Sequence, residues 1–195
     1  VFQQAVGINA VLYYAPRIFQ DMGMGNPMVQ TVIMGVVNIS FTLVAVFTVE
    51  KLGRKPLLIF GSIGMAVGAL GVALTFGNAA LSTVTMISIM VYSASFMFSW
   101  GPIAWVLIAE LFPNTIRGAA VAIAVAFQWI FNFIVSSTFV PMFNMHLSPG
   151  DDFGHWFTYG LYGAFCILAA IFVWKLVPET KGKTLEDMSK LWRKE

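Results

Sequence analysis

Several amide side chains interrupt stretches that are otherwise apolar, and six are singled out: Gln3, Gln4, Asn9, Asn38, Gln128 and Asn132. An amide offers both a donor and an acceptor, as a hydroxyl does, so a group of amides suits a neutral ligand covered in hydroxyls. Gln128 and Asn132 are four residues apart and share a helix face. Trp129 is adjacent, and Trp105 follows a Gly101-Pro102 break. An indole face packs on the C–H face of a polyhydroxylated ring while amides hold its hydroxyls. For one isolated amide, interhelical hydrogen bonding is the better reading. Several amides with indoles, spread over several apolar stretches, favour a ligand cavity. Other chemistry is poorly represented. No apolar stretch carries a charge near its centre, where an ion or proton relay built from these residues would need one. Neither a metal-ligand cluster nor a Ser–His or carboxylate pair at membrane depth is present, which argues against an enzyme. His146 and His155 fall in a polar loop, and Cys166 sits in an apolar run and reads as packing.

The elements that position these groups follow from composition. Of 195 residues, 58% are hydrophobic and 10% charged, and the mean hydropathy is +0.81. Soluble domains carry about a quarter charged residues. A net charge of +2 and a single cysteine exclude a polyanion binder and an internal disulfide scaffold. A helix crossing the hydrocarbon needs about 20 apolar residues. Six such stretches stand at about 1–20, 28–49, 57–76, 83–109, 118–143 and 156–175, and residues 176–195 form a polar tail. Barrel strands are about half that length and alternate, so the expected fold is all-α, with six transmembrane helices. Gly7 and Gly101-Pro102 are expected to break the first and fourth helices, as in secondary transporters with midplane sites. Gly61, Gly64, Gly68 and Gly71 form a small-residue stripe for helix packing.

Charge sets the orientation. The second, fourth and sixth breaks carry Lys51, Arg54, Lys55, Arg117, Lys175, Lys181, Lys183, Lys190, Arg193 and Lys194, against Arg17 alone on the other side. Ten against one assigns the first set to the cytoplasm, with Asp21, Asp151 and Asp152 outside. Trp156 and Trp174, about 27 Å apart at the helical rise, suit the two interfaces. The C-terminus is then cytoplasmic, and Thr184 could cap a short amphipathic helix there. The chain opens at Val1 inside an apolar run, with no initiator Met, basic flank or signal peptide. It is therefore expected to be a piece of a longer protein.

The ordered motifs resemble the sugar porter family of the major facilitator superfamily along essentially the whole chain. Gln3 to Asn9 with Tyr13-Tyr14 resembles its seventh-helix motif, and Gly53-Arg54-Lys55 its repeated loop motif. Glu110-Leu111-Phe112-Pro113 through Ile116-Arg117-Gly118 resembles the loop after the tenth helix, and Pro178-Glu179-Thr180-Lys181-Gly182 the signature after the twelfth. The stretch Ser99 to Trp105 and the pair Gln128-Trp129 are similar to bacterial proton-coupled members. Ala104 and Val6 depart from the animal glucose facilitators.

The resemblance implies the C-terminal six-helix half of a twelve-helix transporter. It implies a monosaccharide substrate, pentose or hexose, taken up across the inner membrane by alternating access with a proton as coupling ion and no cofactor. Its partners would be the N-terminal six-helix half and the lipid bilayer, with no nucleic acid. Gln3, Gln4, Asn9, Asn38, Gln128 and Asn132 would contact the sugar with Trp105 and Trp129. Tyr13 and Tyr14 would occlude the site. Arg54, Glu110, Arg117 and Glu179 would form a cytoplasmic charge cluster. The coupling carboxylate of the family lies in the other half, so facilitated diffusion, or a polyol such as inositol, is the alternative. A sugar sensor is a further one; a tail of only 19 residues after Leu176 argues against it.

Overall fold

A backbone placed in hydrocarbon must satisfy its own N–H and C=O groups, and long apolar runs do so as helices. In a computed structural model the chain is helical, and no strand occurs among the described residues, which are 1–21, 26–148 and 152–182. The side chain of Arg17, Asp151 and the expected tail helix lie outside them. The helices are α1 (Phe2–Ala5), α2 (Ile8–Asp21), α3 (Pro27–Leu52), α4 (Arg54–Thr75), α5 (Ser82–Phe98), α6 (Trp100–Leu111), α7 (Arg117–Phe143) and α8 (Phe153–Leu176).

Five helical stretches are long and apolar enough to cross a bilayer: Met28–Leu52, Arg54–Thr75, Ser82–Leu111, Arg117–Phe143 and Phe153–Leu176. The 14 residues of α2 rise only about 21 Å. That first stretch is divided at Val6-Gly7, where Gly7 takes φ +85°, a left-handed value open to glycine. The second division falls at Ser99, between α5 and α6, rather than at Gly101-Pro102. Pro102 lacks an N–H and its ring crowds the carbonyl four residues earlier, so the distortion lies upstream of the proline. At the start of α3, Asn26 Oδ1 accepts from Met28 N at 2.9 Å, with Pro27 in the first helical turn.

α4 is the central helix and packs most heavily on α5 and α8. Its glycine stripe meets α5 residue by residue in antiparallel register. A Cβ at Gly61 would collide with Ser99, one at Gly64 with Ser95, one at Gly68 with Tyr92, and one at Gly71 with Ser88. Alternating spacings of three and four keep all four glycines on one face, and their missing side chains let the two backbones approach. α3 and α7 are the least enclosed helices. Val32, Val36, Ile39 and Phe47 on α3 and Ile123, Ile130 and Phe133 on α7 are exposed. An apolar surface of that extent belongs against lipid or protein.

The ends alternate. At one, Arg54 reaches Glu110, and Glu179 accepts from the Arg54 and Lys55 amides, so the α3–α4 turn, the end of α6 and the segment after α8 meet. At the other, the His155 ring of α8 sits between Phe76 and Phe143, with centroids 4.4 and 4.3 Å away.

The glycine seam makes a testable contrast. At Gly68 a new Cβ would lie 2.7 Å from Tyr92 N and 2.8 Å from Ser88 O, both backbone, whereas at Gly35 it meets nothing within 4 Å. Gly68→Ala should cost about 1–3 kcal/mol by overpacking, while Gly35→Ala gains up to about 1 kcal/mol of helix propensity. Thermal unfolding in detergent reads both; equal effects would contradict the seam.

Candidate functional site

The two breaks and α7 bring five of the six sequence-predicted amides into one directional relay. Asn9 Nδ2 donates to Gln4 Oε1 at 2.7 Å and to Asn132 Oδ1 at 3.0 Å. Gln4 Nε2 donates to Gln128 Oε1 at 2.7 Å. Gln128 Nε2 donates to Gln3 Oε1. Gln3 Nε2 ends the run on Trp100 O at 2.9 Å and Gly101 O at 3.3 Å. The side-chain carbonyls of Gln3, Gln4, Gln128 and Asn132 therefore each have a donor, and the terminal acceptors are backbone carbonyls beside the α5–α6 break. The relay closes α1, α2, α6 and α7 together. Gln3, Gln128 and Asn132 are buried, while Gln4 and Asn9 are half-buried.

Gln3 and Gln128 also line a cavity of about 700 Å³ between α1, α6, α7 and α8. Its other walls include Phe2, Leu58, Trp100, Leu107 and Phe127. Few polar groups in an apolar cleft is the usual composition of a ligand pocket.

The remaining predicted residues are distributed differently. Asn38 Oδ1 accepts from Ser93 Oγ at 2.7 Å and ties α3 to α5, with no hydrogen bond to the relay. Trp105 and Trp129 are 42% and 64% exposed, and neither lines that cavity. Tyr13 is exposed; Tyr14 stacks on Phe139 with centroids 5.1 Å apart. Two partners escaped the sequence reading. Trp100 is buried in the cavity wall and its Nε1 donates to Ser62 Oγ at 2.7 Å. An indole N–H in an apolar span needs an acceptor, and that requirement is the signal that could have found Ser62.

At the basic end, Arg54 is buried and its Nη2 bridges Glu50 Oε1 at 2.8 Å and Glu110 Oε1 at 2.9 Å. Thr180 Oγ1 donates to Glu110 Oε2 at 2.6 Å. Glu179 accepts the backbone N–H of Arg54, Lys55, Thr180 and Lys181 at 3.0–3.1 Å, and so caps α4 from the far end of the chain. Gly53, at φ +95°, makes room: a Cβ there would lie 2.7 Å from Glu179 Oε2. Of the four predicted members, Arg54, Glu110 and Glu179 come together. Arg117 instead donates to Phe112 O at 3.3 and 3.2 Å. Glu50 and Thr180 join the cluster, although sequence reasoning placed neither there.

Apolar helices that cross a bilayer, two of them broken, with polar side chains gathered at the breaks, define an integral membrane protein of the secondary-transporter type. The chain matches the family described as "Sugar (and other) transporter" across residues 1–192, and it belongs to that family. Members are transporters, not enzymes. It is 50% identical over its full length to the D-xylose-proton symporter of Escherichia coli and covers 40% of that protein. It is 40% identical over its full length to the arabinose-proton symporter of Bacillus subtilis, of which it covers 41%. It is 42% identical over 98% of its length to the glucose facilitated diffusion protein of Zymomonas mobilis, again covering 41%. The solved major facilitator superfamily proton:xylose symporter with 6-bromo-6-deoxy-D-glucose superposes with a TM-score of 0.87 at 49% identity, over 98% of this chain and 41% of that one. The inward-open xylose transporter of E. coli gives 0.83 at 49% identity, over 98% of this chain and 40% of that one. The chain thus spans about two fifths of the length of these relatives.

The Glu179 cap carries a pH signature. Burial alone would raise its pKa, but the four backbone donors outweigh burial and hold it below the ordinary carboxylate value of 4.5. A carboxylate depressed in the folded state contributes stability above its unfolded pKa and loses it as pH falls through the folded value. Thermal stability should therefore drop as pH falls below about 4.5. Glu179→Gln should lower stability at pH 7 and flatten that drop. An unchanged acid slope in the variant would show that the cap is not ionised or not stabilising.

Proposed function

We propose that this chain forms the sugar-binding half of a monosaccharide transporter that works by alternating access with a proton as coupling ion. The observation that carries the reading is the five-amide relay across the helix breaks. Amides in hydrocarbon already satisfy one another, and each still has donor or acceptor capacity for a ligand hydroxyl. A monosaccharide exchanges amide–amide for amide–hydroxyl bonds at little net cost, so it enters without leaving a polar group unpaired. Gln3, Gln4, Asn9, Gln128 and Asn132 would hold hydroxyls. Trp105 and Trp129 would contact the sugar, and Tyr13 and Tyr14 would close the outer side. Asn38 would contribute only after exchanging its bond to Ser93.

The family and the names of the two proton symporters support sugar and proton coupling. Their full length, more than twice that of this chain, supports a second six-helix half as partner across the relay. The charge distribution supports an inner-membrane protein with the Arg54 end in the cytoplasm. The Arg54–Glu110–Thr180 cluster there supplies contacts that one conformation has and another can lose, which is what biases an equilibrium between inward and outward states.

The test uses the whole transporter that contains these residues, reconstituted in vesicles. Gln128→Ala removes a group bonded to both Gln3 and Gln4, and should weaken D-xylose binding about 10–100-fold while the protein still folds. Unchanged affinity would remove the relay from the site. Uptake should be driven by an inward proton gradient and collapse with a protonophore. Gradient-independent equilibration would instead select facilitated diffusion.

A further inference from the structure

The relay is only as well placed as the break it straddles. The bond from Asn9 to Gln4 crosses Val6-Gly7, with Gln3 and Gln4 on α1 and Asn9 on α2. α1 closes with Gly7 N donating to Gln4 O at 2.9 Å, and α2 opens with Val11 N donating to Gly7 O at 3.2 Å. Between these two bonds lies Val6 O, fully buried, which accepts the Tyr92 hydroxyl of α5. The Tyr162 ring of α8 lies directly against Gly7, where a Cβ would come within 2.4 Å of Cε2. Tyr92 and Tyr162 are both almost fully buried. They hold the break in different ways. Tyr92 supplies a directional bond to a backbone acceptor that a break would otherwise leave unpaired in an apolar core. Tyr162 supplies shape: its own hydroxyl has no partner among the described residues.

We propose that Tyr92 and Tyr162 are positioning residues for the amide relay: together they fix the Val6-Gly7 break, and so the register of Gln3 and Gln4 against Asn9 and Gln128. Neither touches the sugar. They act by holding the site in its bonded geometry before the sugar arrives, so that less of the binding energy goes into ordering it. The proposal rests on the sugar-binding reading of the relay, but its geometric part stands without it.

Two measurements on the whole transporter test it together. The first is transport of D-xylose, with Vmax normalised to folded protein. Tyr92→Phe keeps the ring and removes only the bond to Val6 O; it should raise KM about tenfold at unchanged Vmax. Tyr162→Phe removes a hydroxyl without a partner among the described residues and should leave KM within about twofold. Tyr162→Leu, which removes the ring from Gly7, should raise KM as Tyr92→Phe does, and it carries the test if Tyr92→Phe does not fold. A merely structural role would lower the amount of folded protein and leave KM alone. The second measurement needs no sugar. Hydrogen exchange of a peptide spanning residues 2–14 should quicken in Tyr92→Phe and not in Tyr162→Phe. Unchanged KM and unchanged exchange in Tyr92→Phe would overturn the proposal, as would Tyr162→Phe matching Tyr92→Phe. If the wild type binds no sugar, exchange alone decides. Faster exchange would keep the latch and reject the sugar reading; unchanged exchange would reject the latch.

Discussion

An amide buried among apolar helices has to be paired, and in this chain that requirement is met mainly by other amides. The relay from Asn9 through Gln4, Gln128 and Gln3 to the backbone beside Ser99 is the interaction on which the rest depends. It joins segments about 120 residues apart in sequence, as the pairs Gln4–Gln128 and Asn9–Asn132 show. It also depends on the first break. Without the break at Gly7, Gln4 and Asn9, five residues apart, would fall on different faces of one helix. With it, the two side chains meet at 2.7 Å. The scaffold beneath is built for close approach: the α4–α5 glycine seam packs the helix that carries Tyr92, which bonds Val6 O, and α4 supplies Ser62 to Trp100.

A second constraint sits at the basic end. Arg54 is buried and paired to Glu50 and Glu110, while the Glu179 carboxylate caps the first turn of the helix that Arg54 begins. Removing one partner from such a cluster leaves a buried charge without compensation, which costs far more than the net worth of the intact pair. The cluster and the relay share α6: Glu110 lies at its end, and Trp100 and Gly101 at its start. A rigid movement of α6 would therefore change both at once, and that linkage gives a physical route between the relay and the Arg54 cluster.

Much of this was legible in the sequence. Continuous apolar runs and the one-sided distribution of Lys and Arg identify a helical membrane protein, and six amides in such runs single out the candidate site. What escaped reading depends on rotation and on distant partners. Trp100 and Trp105 are five residues apart, which at 100° per residue turns them about 140° from each other. Spacing says that they face different ways, not which faces inward, and the structure buries Trp100. The break at Ser99 was read at Gly101-Pro102 because proline is visible and the carbonyl it displaces is not. The family resemblance groups Arg117 with Arg54, Glu110 and Glu179. The Arg117 guanidinium turns instead to the carbonyl of Phe112, five residues away, while Glu50, one turn before Arg54, adds a second carboxylate to that arginine. Glu179 capping α4 joins residues 125 apart, which no local pattern encodes.

The central claim is that the paired amides are the sugar site. Solid-state NMR of the whole transporter in lipid, with side-chain amides of Gln and Asn labelled with ¹⁵N, addresses it most directly. Titration with D-xylose should shift the side-chain resonances of Gln3, Gln4, Asn9, Gln128 and Asn132 together, with one saturation curve, because each bond in the relay polarises the next. Saturable sugar binding that leaves those five resonances in place would contradict the account.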